Sequence, residues 1–478
     1  MATGRAPGAR LASEPHPPSH AGPVLFAVDL PPVPPLALWE LLPHEEATYW
    51  RPPGGAAVAS AGSVLRVPLR PRGGGRDADR ALEELGRSLR RHPPPRELLE
   101  LPGALVRPGG PSPCGPRLFG GAAFLGRPEG REWAGFGPGE VVLPAWTLEE
   151  LPDGSRLTLA LPPDRDVGQM RRRLREAADL VERLGAGGPG PASGGPFPGV
   201  AGRSDLAPEA WRAMVEAGQA AIQAGGLRKI VLARRSEVRF TGPLDPVAVL
   251  RRLARSEDEF VFGVRRGDAT FLGASPETLM RRDGERLRVE ALAGTTRLPA
   301  GRGRADRLAR AAERLYGSGK DLEEHALVVQ GIADALAPFA VHRVLPEWPR
   351  VRGLGTLAHL SSEIEVQLRE GIGTGALLEV LHPTPAVGGL PRAEALDLIE
   401  RLEPTERGWY AGPVGWVRPD GGAEIAVGIR SALLRGDTAW LFAGAGIVAA
   451  SEPDAEYRET GDKLGRLLAA LGAEGAAA

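Results

Sequence analysis

Near the C-terminal end of this 478-residue chain, Glu456, Glu459 and Lys463 recur at helical spacing. Steps of three and four place all three on one face of a helix. Two carboxylates and an ammonium converging there could hold a divalent cation beside an anionic substrate. The alternative is a solvated face with intrahelical ion pairs, worth about 0.3–0.5 kcal/mol each. Ser451 reads as the N-cap of this helix, with Asp454 three residues on and Pro453 in the first turn. The segment before it, F-A-G-A-G-I-V (Phe442 to Val448), has the composition of a buried strand leading to a backbone-lined pocket.

Other residues invite the same double reading. Lys229 begins a strand of otherwise apolar residues. Buried, it could work as a base near neutral pH, which requires a shift of about 3 units from ~10.4; otherwise it is an exposed strand-end lysine. Glu277, in G-A-S-P-E, follows a strand and a proline turn. Desolvated, it is a general acid; otherwise it is a turn glutamate. In S-G-K-D-L-E-E-H (Ser318 to His325), Glu324 or His325 can point inward while Glu323 faces solvent; acidic residues also suit a helix start for dipole reasons. Arg430 ends the alternating strand E-I-A-V-G-I-R, where its fork could clamp a carboxylate or form a structural ion pair. Tyr410 could donate to the same anion or be a half-buried sheet tyrosine. Together these residues suit a small dianionic substrate, a hard cation such as Mg²⁺, and proton transfer. The sequence contains no P-loop, dinucleotide fingerprint, HExxH or Ser-His-Asp set.

Composition bounds the partners. Lys+Arg (59) nearly balances Asp+Glu (60), so no net field draws the chain to nucleic acid or to an acidic membrane surface. A single cysteine, Cys114, excludes an intrachain disulfide and fits a reducing compartment; it sits in a Pro/Gly-rich loop and reads as inert. No apolar run approaches the ~20 residues of a spanning helix, so a soluble, cytoplasmic protein is expected.

The elements that must position these residues divide at Gly185–Pro198, the clearest linker. Residues 1–22 are expected to be a disordered extension. Residues 23–184 mix strands (Val24–Val28, Ala56–Val67, Leu157–Leu161) with helices (Asp79–Arg91, Val167–Leu184). The linker occupies 185–204, and 205–475 forms the catalytic part. There, helices are expected near Pro208–Ala224, Pro246–Ala254, Arg304–Leu315 and Asp321–Leu336. Strands are expected at Lys229–Arg235, Glu259–Val264, Thr270–Ala274, His359–Leu368, Tyr410–Val417, Ala423–Leu434 and Thr438–Val448, with a hairpin turning at Asp283-Gly284. The pattern is α+β with large, mostly antiparallel sheets flanked by helices.

At these same residues the chain resembles the chorismate-utilising enzymes. The matching segments are K-I-V-L-A-R (Lys229 to Arg234), G-A-S-P-E, A-L-A-G-T (Ala291 to Thr295), S-G-K-D-x-x-E-H, H-L-S-S (His359 to Ser362), H-P-T-P-A-V-G-G-x-P (His382 to Pro391), Y-A-G-P-V-G (Tyr410 to Gly415), G-I-R, A-G-A-G-I-V and Y-R-E-T-G-D-K-L. They follow the family's order over about Asp205 to Leu471. The N-terminal part is similar to the isochorismate synthases through A-T-Y-W-R-P, L-F-G-G-A-A-F and V-L-P.

The resemblance implies an anthranilate synthase component I-like fold enclosing one site, and roles for its residues. Anthranilate synthases typically carry Gln where this chain has Lys229; aminodeoxychorismate synthases typically carry a ring-attacking Lys where it has Ala293. Lys229 with a small Ala293 implies water as the nucleophile and no glutamine amidotransferase subunit. Lys229 is then the base and Glu277 the acid. Glu324 and Glu459, with Glu456 nearby or through water, hold Mg²⁺. Ala293, Gly294, Thr295, His382, Tyr410, Arg430, Gly444, Gly446 and Lys463 surround chorismate. Isochorismate is the implied product, made by a monomer. The alternatives are a salicylate synthase, which goes on to eliminate pyruvate, and a non-catalytic chorismate-binding protein. The Y-R-E-T form around Glu459 and the H-P-T-P-A segment look more like the isochorismate synthases.

Overall fold

The computed structural model of the chain describes residues 23–69, 73–91, 107–108, 116–162, 167–185, 197–301 and 303–475. Cys114, the extension 1–22 and residues 186–196 of the linker lie outside the described residues.

Two large sheets of 13 and 10 strands carry the fold. Their pairings are antiparallel, as expected of the α+β class. Both sheets take strands from either side of the linker. Glu46–Arg51 pairs with Phe260–Arg266 in one, and Leu118–Ala122 pairs with Pro413–Val417 in the other. Residues 200–204 of the expected linker belong to the strand Val200–Asp205, which pairs with Lys229–Phe240.

The 13-stranded sheet is buried on both faces, which explains the apolar runs of its strands. Phe262, Phe271 and Phe442 turn into a core shared with Ala291, Ile364 and Ile425 of the ten-stranded sheet. Their neighbours Val261, Leu272 and Leu441 face the other way. There they meet Leu174 of helix Val167–Gly185, Leu250 of helix Pro246–Leu253 and Leu467 of helix Pro453–Leu471.

The chain crosses between the sheets at points that matter for function. Ala269–Ser275 lies in the larger sheet and Thr278–Asp283 in the smaller, so Pro276-Glu277 is a crossing. The expected single strand Ala423–Leu434 is two strands, Ala423–Val427 in the smaller sheet and Ser431–Arg435 in the larger. Arg430 therefore lies in a crossing and not at a strand end. Ala56–Val67 divides in the same way, into Val58–Ala61 and Leu65–Pro68. Both stretches read as single strands because their residues stay largely apolar or small across the break, each half being buried in its own sheet.

Hydrogen bonds tie the crossings together. Ser275 Oγ donates to Val427 O (2.6 Å), Val427 N to Glu277 O (3.1 Å), Ala274 N to Arg430 O (3.0 Å) and Ala411 N to Gly428 O (2.9 Å). Arg430 (φ 51°) and Ala411 (φ 59°) adopt the left-handed conformation, at a cost of about 1–2 kcal/mol each. Such outliers persist where the surroundings over-determine them.

Candidate active site

A cavity opens where these crossings meet the end of the larger sheet. Its lining includes Glu277, Ala293, Gly294, Thr295, Glu324, Tyr410, Arg430, Gly444, Gly446, Glu459 and Lys463. Those are eleven residues singled out from the sequence. Lys229 stands directly behind, fully buried, on the same strand face as the lining residue Val231. Its Nζ is 3.1 Å from Glu324 Oε1.

Helix Gly319–Leu336 starts at Ser318, whose hydroxyl accepts from Asp321 N. This cap sets the helix phase: Glu324 and His325 are buried, and Glu323 is exposed. Gly446 makes the approach of Glu324 possible. A Cβ there would overlap Glu324 Oε1 and lie 3.0 Å from Lys229 Cε. Gly446 and Gly444 also present backbone to the site. Val231 N donates to Gly388 O and Ala233 N to Glu403 Oε1, so neither bonds across to strand Thr438–Ile447. Their partners Gly446 and Gly444 must then point their own N–H groups to the opposite edge. Strand Ser431–Arg435 covers that edge only as far as Leu441. Lys463 Nζ donates to Gly444 O (2.9 Å) and pairs with Glu459 one turn away (2.6 Å).

The buried carboxyl of Glu277 is pushed up to about 8, first by burial and then by the nearby Glu290 carboxylate, against the pull of Lys229, Arg430 and Lys463. Oε1 of that carboxyl has no hydrogen-bond partner among the described residues. A group in that state is protonated near neutral pH and free to donate. Tyr410 stacks on Phe442 (5.2 Å, 17°). Burial raises its phenol to about 12, so it remains a donor. Burial lowers the Arg430 guanidinium to about 10, which leaves it charged at neutral pH.

His359, at the cavity, was not singled out from the sequence, although the segment H-L-S-S contains it. Arg430 Nη2 donates to its Nε2 (3.3 Å), which fixes that nitrogen as the acceptor and puts the proton on Nδ1, 3.0 Å from Thr295 Oγ1. Burial, with Arg430 and Lys463 nearby, holds the ring neutral. Arg407 was also missed. It pairs with Glu403 (2.5 Å) and donates to Val231 O and Val387 O, bracing the strand that carries Lys229. Its sequence signal is the spacing of four from Glu403, the pattern of an ordinary local ion pair.

Two expected site residues lie elsewhere. His382 is buried away from the cavity, its Nε2 3.3 Å from Phe124 O and its ring edge-on to Phe124. Burial lowers it to about 3, so it is neutral. Glu456 is 1% exposed and held by Lys320. It does not line the cavity, but it lies near enough to Glu459 for that carboxylate, after burial, to push its own carboxyl up. Ser451 is not the helix N-cap: Glu452 occupies that position, and Ser451 Oγ accepts from Val448 N (3.1 Å). Pro453, which cannot donate, takes the first helical position and leaves Ser451 to tie off the preceding strand.

Among the described residues no cluster of three or more His, Cys, Asp or Glu side chains is disposed to hold a metal. Two carboxylates, Glu324 and Glu459, do face the cavity, each paired with a lysine. One or two carboxylates are a usual protein contribution to a Mg²⁺ site, so the donor set fits that ion. Arg407 is matched by Glu403, Lys229 by Glu324 and Lys463 by Glu459. Among the described residues Arg430 is the cavity cation left without a carboxylate, suited to an anionic substrate group. Among the described residues no helix is long and apolar enough to cross a membrane.

A family model described as "Chorismate binding enzyme" matches residues 24–472. Over 371 residues the chain is 38% identical to a salicylate biosynthesis isochorismate synthase from Pseudomonas aeruginosa, covering 76% of each chain. It is 36% identical over 373 residues to the isochorismate synthase MenF of Bacillus subtilis, again covering 76% of each. The solved structure of MenF, the menaquinone-specific isochorismate synthase from Escherichia coli, superimposes with a TM-score of 0.72 at 27% identity, over 94% of this chain and 95% of that one.

Proposed function

The chain belongs to the chorismate-binding enzyme family, and from that premise we propose that it is an isochorismate synthase. The reaction adds water at ring carbon 2 of chorismate and expels the hydroxyl from carbon 4. One observation carries this reading: a carboxyl raised to about 8 lines the cavity that Lys229 backs, while the small Ala293 leaves no amine there to attack the ring.

Lys229 takes a proton from water as the oxygen bonds to carbon 2. Both ring double bonds shift, the electron pair passing from carbons 1 and 2 round the ring toward carbon 4, and the carbon 4–oxygen bond breaks. Glu277 gives its proton to the departing hydroxyl, which leaves as water. Lys229 ends protonated and Glu277 ionised, so the reverse reaction exchanges their roles. Each positioned proton transfer contributes about 10²–10⁴-fold. Because the forward reaction needs Glu277 protonated, its rate falls as pH rises through about 8.

Arg430 and Tyr410 hold the enolpyruvyl carboxylate, with the N–H groups of Gly444 and Gly446 alongside. Lys463 adds positive charge, and Gly294 and Thr295 border the ring. Glu324 and Glu459 would hold Mg²⁺, which when bound supplies charge neutralisation for a substrate carboxylate. Glu456 remains with Lys320. With water as nucleophile the enzyme needs no amidotransferase; it works as a monomer in the cytoplasm, and its product suits menaquinone, siderophore or salicylate synthesis. The test is Lys229→Ala: water addition is lost while the fold survives. Turnover like the wild type would contradict the assignment.

A further inference from the structure

Glu290 is a buried carboxylate that the reaction as described does not use. It sits on strand Arg286–Arg297, two residues before Leu292, and the pairing of that strand is regular up to Ala293. Alternation therefore puts Glu290 and Leu292 on the same face, and Leu292 lines the cavity. The Glu290 carboxylate is fixed from two sides. Ser361 Oγ donates to its Oε1 (2.7 Å), and Arg352 pairs with the same oxygen. The same Arg352 Nη1 also reaches Pro276 O (3.4 Å), the carbonyl directly before Glu277. One guanidinium thus joins the Glu290 carboxylate to the turn that carries the acid.

We propose that Glu290 is a positioning residue for Glu277: Arg352 and Ser361 lock its negative charge beside the acid and so keep the acid's proton in place between turnovers. This rests on the reading of Glu277 as the proton donor. The other charged and titratable groups facing Glu277 are Lys229 on its strand, Arg430 at the neighbouring crossing, Lys463 on the last helix and Tyr410. Arg430 and Lys463, and Lys229 whenever it is protonated, all pull the proton off. Burial and Glu290 are what oppose them, and Glu290 is the largest charge effect on the group. A site gathered to bind a dianion would otherwise ionise its own acid. Glu290 offsets that without touching the substrate.

The test is the pH profile of kcat/KM for Glu290→Gln, the wild type and Ser361→Ala. In Glu290→Gln the alkaline limb moves down by about one unit. Turnover at pH 8 then falls about fivefold, and turnover at pH 6 is nearly unchanged. Ser361→Ala, which keeps the charge, leaves the limb in place, and Glu290→Asp restores it. An unmoved limb in a folded Glu290→Gln protein overturns the proposal, as does an equal loss at every pH. If Glu290→Gln does not fold, Arg352→Gln is the substitute. It frees a cation-neutralised carboxylate beside Glu277, so the limb moves up, and an unmoved or lowered limb overturns the proposal. Glu277→Gln separates the two levels: if it keeps wild-type turnover the acid assignment itself fails, and if it loses turnover while Glu290→Gln shifts nothing, only the role of Glu290 fails.

Discussion

Replacing Gly446 with alanine separates the demands of folding from those of catalysis. Gly446 does not adopt a positive φ, so its backbone accepts a side chain, and losing glycine's freedom in the unfolded chain favours folding by about 0.4–1 kcal/mol. The new Cβ overlaps Glu324 Oε1 and lies 3.0 Å from Lys229 Cε. Glu324 Oε1 is the end of a flexible side chain, so rotation relieves the overlap for about 1–2 kcal/mol. The net destabilisation is therefore about 1 kcal/mol, which shifts the melting temperature by only about 1–3 °C in a chain this long. The same rotation displaces Glu324 from Lys229, now 3.1 Å apart. A displacement of about 1 Å in a reacting constellation costs on the order of 100-fold. Calorimetry and steady-state assays on one preparation measure both quantities. A Gly446→Ala enzyme within threefold of wild-type kcat/KM would refute the packing of Gly446, Glu324 and Lys229 as a catalytic unit.

Further substitutions probe the other groups. Glu277→Gln stabilises the fold at neutral pH. The carboxyl is raised from 4.5 to about 8, so the folded state binds the extra proton between those values and wild-type stability declines as pH rises across that window. Unfolding in urea at pH 4.5 and 8 should show the variant gaining a few kcal/mol over the wild type at the higher pH only; parallel curves would contradict the buried, raised carboxyl. Arg430→Lys keeps a charge but loses the fork, and should raise KM for chorismate at least tenfold with a smaller change in kcat. An unchanged KM would remove Arg430 from the substrate. Lys320→Gln strands the buried Glu456 carboxylate and should cost about 2 kcal/mol, most of it recovered in Lys320→Gln/Glu456→Gln. No recovery would mean the pair is not coupled.

The site was legible where its chemistry depends on local pattern. Local pattern singled out Glu324, at an acidic helix start before an apolar run, and Lys229, a cation that begins an apolar strand, but left each with a bland alternative; the resemblance to the chorismate-utilising enzymes supplied their roles. The sheet crossings were hidden. From Ala423 to Leu434 the run stays largely apolar or small, although the chain changes sheets at Arg430, because an apolar run reports burial and not which sheet buries the strand. His382 shares a motif-rich segment with site residues, but the fold turns its ring toward Phe124. Glu456 satisfies the helical spacing of a metal ligand, yet Lys320, 136 residues away in sequence, takes its carboxylate. His359 reaches the cavity through long-range strand pairing with Thr295, and Arg407 reaches Val231 O and Val387 O; the H-L-S-S segment and the Glu403 spacing mark the two residues but not those contacts.

Purified protein incubated with chorismate, with and without Mg²⁺ and with products separated by chromatography, addresses the central claim most directly. Metal-dependent isochorismate in equilibrium with chorismate, approached from either side, is the predicted result. Salicylate with stoichiometric pyruvate, or chorismate bound and recovered unchanged, would contradict it.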